Sequence, residues 1–149
     1  ASCQKHLQKE SYDLITAFNV FAHSAEMESM IKGVRYCLKP KGLFCFEVQY
    51  LADIVQKSIL GTFFHEHMIH YSLYSASQFL EANGMDIVDL RRNNIQNGSI
   101  IFICRNKEAG IVKLQSAEKR ISDLEKLEDE LQINTDKWAD KFKEFLDKA

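Results

Sequence analysis

The sequence has 149 residues, with 19 Lys and Arg against 21 Asp and Glu and a formal net charge of -2 when the histidines are neutral. That length supports one hydrophobic core, and the near balance of charge removes any global electrostatic reason to bind nucleic acid or an anionic membrane. With 46% hydrophobic residues, 27% charged, 6 Gly and 1 Pro, collagen-like, wholly disordered and Pro-rich classes are excluded, so the chain is expected to fold over much of its length.

In chain order, residues 2–10 read as a short polar helix, after which YDLITAFNVF supplies a buried strand running into a loop. AHSAEMESMIKGVRYCLKP then places Met27, Met30, Ile31, Val34 and Leu38 on one helical face, with Pro40 as the stop, and GLFCFEVQY follows as a second strand. Strand, helix, strand at this spacing is what a parallel crossover requires, because parallel neighbours are not joined by a tight hairpin. Residues 51–73 mix apolar, aromatic and His residues without one period and are expected to form short helices and loops over the sheet edge, a lid or pocket wall.

SASQFLEANG reads as a helix capped by Ser75 or Ser77 and ended by Gly84. MDIVDLRRN and SIIFICRN then form a pair of antiparallel strands around an Asn97-Gly98 turn. Beyond residue 106, Leu114, Ala117, Ile121, Leu124, Leu127 and Leu131 mark one helical face, and Trp138, Phe142, Phe145 and Leu146 mark another after the INTD break. The expected organisation is an α/β domain over 1–106 followed by a helical segment over 107–149.

Cys3, Cys37, Cys45 and Cys104 are scattered without a CxxC pair, which favours buried thiols in a reducing compartment over a disulfide framework or a zinc module. The start, ASCQKHLQKE, lacks the apolar stretch of a signal peptide, and no apolar run approaches the ~20 residues that span a bilayer. A soluble, cytoplasmic protein with no membrane partner is expected.

The conspicuous chemistry lies in Phe63-Phe64-His65-Glu66-His67, followed by His70 and Tyr71. A neutral imidazole accepts a proton near neutral pH, and a neighbouring carboxylate orients it or stabilises its protonated form. Three readings stand open on spacing alone: a proton-transfer site, ordinary hydrogen-bonded histidines, or a metal site, the last weakened because the segment is not HExxH. Asn19 and His23 follow the first apolar run, and Glu47 and Gln49 follow GLFCF. In an open parallel sheet these are crevice positions at the carboxyl edge, where loops meet ligands. Asn97-Gly98-Ser99 reads either as a tight turn or as a substrate contact. The sequence has no glycine-rich phosphate loop, Walker motif or GxSxG elbow.

Taken in order, YDLITAFNVFAHSAEM, LKPKGLFCFEVQYLADIV, FFHEHMIHYSLYSASQFLEANGMDIVDLRR and NGSIIFICRN resemble the middle and later part of a class I S-adenosylmethionine-dependent methyltransferase. The resemblance is strongest to the sugar C-methyltransferases that act on nucleotide-linked keto-deoxysugars, and it covers roughly residues 12–105. It implies a partial Rossmann-like sheet of about four strands with mixed final strands, followed by C-terminal helices.

By that resemblance His67 matches a general base that removes a proton beside a keto group, Glu66 matches its acidic companion, and His65 would support the enolate oxygen. Asn19 and His23 would lie on the side of S-adenosylmethionine, and Phe64, Asn97 and Ser99 nearer the sugar. Phe64 stands where the family often has Tyr. No metal is implied in this region.

The family's zinc module and glycine-rich cofactor half lie upstream of the matched region, so the chain is expected to be a portion of a longer enzyme, inactive by itself. Its expected partners are a nucleotide-linked keto-deoxysugar for the parent, and either another copy or the missing polypeptide half. The alternative expectation is a non-catalytic methyltransferase-like module for oligomerisation or partner binding.

Overall fold

The computed structural model describes residues 7–63, 67–110 and 115–133, together with 140, 143, 144 and 147. Strand β1 (Tyr12–Phe18) leads through a 3-10 turn at Phe21–His23 into helix α1 (Met27–Cys37) and then strand β2 (Leu38–Gln49). Helix α2 (Leu51–Gln56), a 3-10 turn at Leu60–Thr62 and helix α3 (Leu73–Ala82) follow. Strands β3 (Met85–Asn93) and β4 (Ser99–Asn106) form a hairpin, and helix α4 (Gln115–Leu131) lies beyond it.

The four strands make one sheet in the order β1-β2-β4-β3. β1 and β2 are parallel, as the intervening helix α1 requires, whereas β4 runs antiparallel to both β2 and β3. The apolar run of β1 foretells a buried strand, yet Tyr12, Leu14 and Phe18 are exposed because β1 lies at the edge of the sheet. In β2, Phe44, Phe46 and Val48 are buried, and Phe46 stacks on Phe102 of β4 with ring centroids 5.0 Å apart. Phe21 joins them at 5.0 Å from Phe46, and Ile31 from α1 and Leu80 from α3 close over the cluster. Each such side chain removed from water contributes about 1.5–3 kcal/mol.

Several expected boundaries shift. Residues 7–10 form a bend and turn instead of the polar helix, because Glu10 adopts φ 50° and the Glu10 and Ser11 amides bond to Tyr36 and Cys37 carbonyls. β2 starts at Leu38, before Pro40, and not at the glycine that follows it. Between Tyr12↔Leu38 and Leu14↔Leu43 β1 advances two residues while β2 advances five, and this bulge accommodates the proline. A Cβ on Gly42 there would sit 2.9 Å from the Tyr12 carbonyl oxygen.

Helix α3 is capped by Ser72 and not by Ser75 or Ser77. The Ser72 hydroxyl accepts from the Ser75 amide at 3.0 Å, and the Ser75 hydroxyl in turn accepts from the Ser72 amide at 3.0 Å, a reciprocal cap. Gly84 ends the helix at φ +72°, as its position foretells.

Helix α4 packs on β3 and α3, and its buried residues Ala117, Leu124 and Glu128 share one face. Glu128 is 1% exposed. Its carboxylate accepts the Tyr50 hydroxyl proton at 2.9 Å and the Tyr74 amide at 3.1 Å, and it also accepts the Leu73 amide, so it binds the open N-terminus of α3. Trp138, Phe142, Phe145 and Leu146 of the second expected tail helix lie outside the described residues, as do Cys3 and Leu114, whereas residues 140, 143, 144 and 147 are helical. Cys37 and Cys104 are buried, consistent with apolar thiols. Among the described residues no helix is long and apolar enough to cross a membrane.

Candidate functional site

The carboxyl ends of β1 and β2 lie side by side, Phe18 pairing with Glu47 and the Asn19 amide donating to the Glu47 carbonyl at 3.1 Å. Asn19 adopts φ 54°, a left-handed conformation that Asn tolerates, and this turns the chain out of the sheet into the Phe21–His23 turn. The segment after residue 66 crosses this edge. It is fixed by the Met68 amide donating to the Ala22 carbonyl at 2.9 Å and by the Leu51 amide donating to the Tyr71 carbonyl at 2.9 Å.

These ties bring His67 against His23, with ring centroids 4.7 Å apart at 58°, and place His70 at 5.9 Å from His67. His70 packs on Phe63 at 4.5 Å, and its Nε2 is buried with no hydrogen-bond partner among the described residues. Burial pulls the His70 imidazole below its ordinary pKa, and the neighbouring His67 pulls in the same direction.

His67 Nδ1 stands 3.1 Å from both the hydroxyl and the carbonyl oxygen of Thr62. A carbonyl oxygen only accepts, so the contact to the Thr62 carbonyl is a hydrogen bond in the tautomer that carries the proton on Nδ1. The Thr62 hydroxyl contacts Gln49 Oε1, and Gln49 Nε2 donates to the Gln96 carbonyl at 3.3 Å. Because Nε2 of Gln49 must face that carbonyl, its Oε1 faces Thr62 and receives the hydroxyl proton. The donors therefore run one way, from His67 through Thr62 and Gln49 to the hairpin turn.

That turn contains Gln96 at φ 51°, Asn97 at φ 67° and Gly98 at φ 143°. A Cβ at Gly98 would lie 2.5 Å from Cβ of Asp53. The Asn97 carbonyl accepts Lys57 Nζ at 2.6 Å, and Lys57 and Arg92 pair with the buried Asp53 at 3.0 and 2.7 Å. Ser99 is 1% exposed, with its Oγ 2.5 Å from Glu47 Oε1 and 2.7 Å from Asn93 Oδ1. Asn93 Nδ2 also donates to Glu47 Oε1, at 2.8 Å.

Of the sequence candidates, His67 and His23 are thus brought into ring contact, and Asn19 turns the chain out of β1. Asn97 and Ser99 lie on the adjoining hairpin, connected to His67 through Gln96, Gln49 and Thr62. Phe64, His65 and Glu66 lie outside the described residues. Among the described residues, no group of His, Cys, Asp and Glu is arranged to hold a metal ion.

Sequence reading passed over Thr62, which has no motif around it. It also passed over Glu128, although an acid four residues after Leu124 on an otherwise apolar face is a readable signal.

The methyltransferase-domain family matches residues 1–46. The C-methyltransferase NovU of Streptomyces niveus is 34% identical over 88 residues, covering 59% of this chain and 21% of its own length. Among solved structures, a chain of the Haloferax volcanii complex between the Trm112 methyltransferase activator and a putative methyltransferase superposes with TM-score 0.56 at 12% identity, covering 68% of this chain and 56% of that one. The Burkholderia thailandensis 1,6-didemethyltoxoflavin-N1-methyltransferase, solved with 1,6-didemethyltoxoflavin and S-adenosylhomocysteine, gives 0.52 at 12% identity, covering 66% and 45%.

The chain thus resembles a methyltransferase domain over residues 1–46 and shares the fold of solved methyltransferases. The shared fold accounts for the mixed sheet: a parallel pair feeds a terminal antiparallel hairpin. The chain spans about a fifth of the length of NovU.

Proposed function

We propose that the protein to which this chain belongs transfers a methyl group from S-adenosylmethionine to a sugar carbon beside a keto group, on a nucleotide-linked deoxysugar, with His67 as the base. The observation that carries this reading is the placement of His67 at the carboxyl edge of the sheet with Nδ1 held by Thr62, in a chain related to a C-methyltransferase.

The described residues fit one wall of a donor site. Asn19 offers an amide at the outward turn of β1, and Phe18 and Val20 beside it are 49% and 42% exposed, apolar surface of the kind an uncharged ring system covers. When bound, S-adenosylmethionine supplies an electrophilic methyl group.

His67 acts on the other side. Its Nε2 takes the proton from the carbon next to the ketone, and the charge delocalises onto the ketone oxygen as an enolate. The Thr62 contacts hold the ring during that transfer, so less orientation is lost on reaching the transition state. His23, in ring contact with His67, limits where the imidazole can swing. Glu66 as the acidic companion of His67, His65 at the enolate oxygen and Phe64 against the sugar complete the proposal from the family resemblance. Asn97 and Ser99 complete the sugar side, Ser99 by holding Glu47 in place.

The test is methyl transfer by the longer parent protein supplied with S-adenosylmethionine and a nucleotide-linked keto-deoxysugar, followed by mass spectrometry. A product heavier by one methylene on carbon is expected, and His67→Asn is expected to lower its formation about 100-fold or more. Transfer to oxygen or nitrogen only, or equal turnover by the variant, overturns the reading.

A second reading has its own observation: Tyr12, Leu14 and Phe18 on the edge strand β1 are all exposed. An apolar open edge favours assembly with more polypeptide, in a non-catalytic module as well as in an enzyme. A chain that remains monomeric over a wide concentration range and binds no partner counts against the module.

A further inference from the structure

We propose that Thr62 is a positioning residue that imposes the Nδ1–H tautomer on His67 and, through Gln49, ties that choice to the hairpin turn at Gln96. The inference rests on the reading of His67 as a base. Thr62 is 3% exposed, so water does not compete for its hydroxyl, and both of its oxygens lie 3.1 Å from His67 Nδ1.

A neutral imidazole in water prefers its proton on Nε2, the opposite choice, so the site must select against the ring's own preference. The Thr62 carbonyl cannot donate. Its hydroxyl has one proton, and Gln49 Oε1 takes it, because Gln49 Nε2 is committed to the Gln96 carbonyl. With that proton engaged, the hydroxyl presents only a lone pair to His67, and both Thr62 oxygens demand a proton on Nδ1.

The consequence is that the basic lone pair of His67 is on Nε2 before substrate arrives. A base in the wrong tautomer would offer an N–H where it must accept a proton. Two further imidazoles share this surface, His23 at 4.7 Å and His70 at 5.9 Å between ring centroids. The relay also gives Gln49 a specific duty. Removing its side chain releases the Thr62 proton, which then turns to Nδ1 and drives His67 toward the Nε2–H form.

The experiment is nitrogen NMR of the chain labelled with 15N-histidine, at a pH high enough for every imidazole to be neutral, with the His67 signals assigned by their loss in His67→Asn. In the wild type the Nδ1–H form is expected to dominate. Thr62→Ser, which keeps the hydroxyl, is expected to preserve it, whereas Gln49→Leu and Thr62→Val are each expected to lower its share about twofold or more.

A wild-type His67 in the Nε2–H form, or Gln49→Leu and Thr62→Val variants with unchanged tautomer, overturns the proposal. A purely structural Thr62 would lower the melting temperature and leave the tautomer where it was. Should Thr62→Val fail to fold, Gln49→Leu decides the matter by itself. The base reading fails separately, through full methyl transfer by the His67→Asn parent, an outcome that the tautomer measurement does not touch.

Discussion

The two halves of the sheet use similar residues to opposite ends. On the hairpin side, Ile100, Phe102 and Cys104 of β4 are wholly buried between β2 and β3, with α3 and α4 packed outside. On the parallel side, β1 carries an equally apolar run, yet Tyr12, Leu14 and Phe18 are exposed, and a cavity of about 640 Å³ runs between β1 and α1, lined by Leu14, Thr16, Val20, Met30 and Val34. One half has recovered the free energy of its apolar surface and the other has not. His67 sits at the seam, its neighbour Met68 tied to the Ala22 carbonyl of the Phe21–His23 turn and its own ring tied to Gln49 of β2 through Thr62.

The largest effect should come from the closed half. Phe102→Ala removes a fully buried ring stacked on Phe46 and is expected to cost about 3–5 kcal/mol in denaturant unfolding. A loss below about 1 kcal/mol would mean that the hairpin side is as loosely packed as β1.

Next comes Glu128→Ala, expected to cost about 2–3 kcal/mol, because the Leu73 and Tyr74 amides and the Tyr50 hydroxyl lose a buried acceptor together. Tyr50→Phe in the same background separates the hydroxyl's share, since the pair shares one carboxylate.

The seam should answer to pH. His70 has its pKa lowered in the fold, so the folded state binds fewer protons at that ring than the unfolded chain does. Its contribution is present above the ordinary imidazole range and is lost as pH falls through it. His70→Gln is expected to flatten this acid-side loss between about pH 7 and 5, read from melting temperature against pH, and an unaltered slope would contradict the assignment.

The smallest effect belongs to the open half. Phe18→Ser should change the stability of this chain by less than about 0.5 kcal/mol, since the ring is 49% exposed. In a longer parent that covers β1, the same substitution should cost about 1.5–3 kcal/mol. Equal small values in both would show that the β1 face stays uncovered.

Much of the fold was legible because hydrophobic spacing and turn chemistry agree. Met27, Met30, Ile31 and Val34 announce α1, and Asn97-Gly98 announces the hairpin. The start of β2 was missed because Pro40 ordinarily stops a segment, and only the pairing partner reveals that a bulge absorbs it. The cap of α3 was misplaced by a few residues because Ser72 and Ser75 are both good caps, and the helix start follows from Glu128, far along the chain.

In the site, His67 was conspicuous as part of a His-rich run. Its pairing with His23 depends on the crossing of distant segments, and the roles of Thr62 and Gln49 depend on which atom faces which. No short-range pattern encodes either.

The central claim is that His67 removes a proton from substrate carbon, and the most direct measurement is solvent deuterium uptake at that carbon of a nucleotide-linked keto-deoxysugar, followed by NMR with the longer parent protein. Uptake catalysed by the wild type and reduced about 100-fold or more in His67→Asn, with substrate still bound, is the expected result. Uptake at the same rate in both proteins would contradict it.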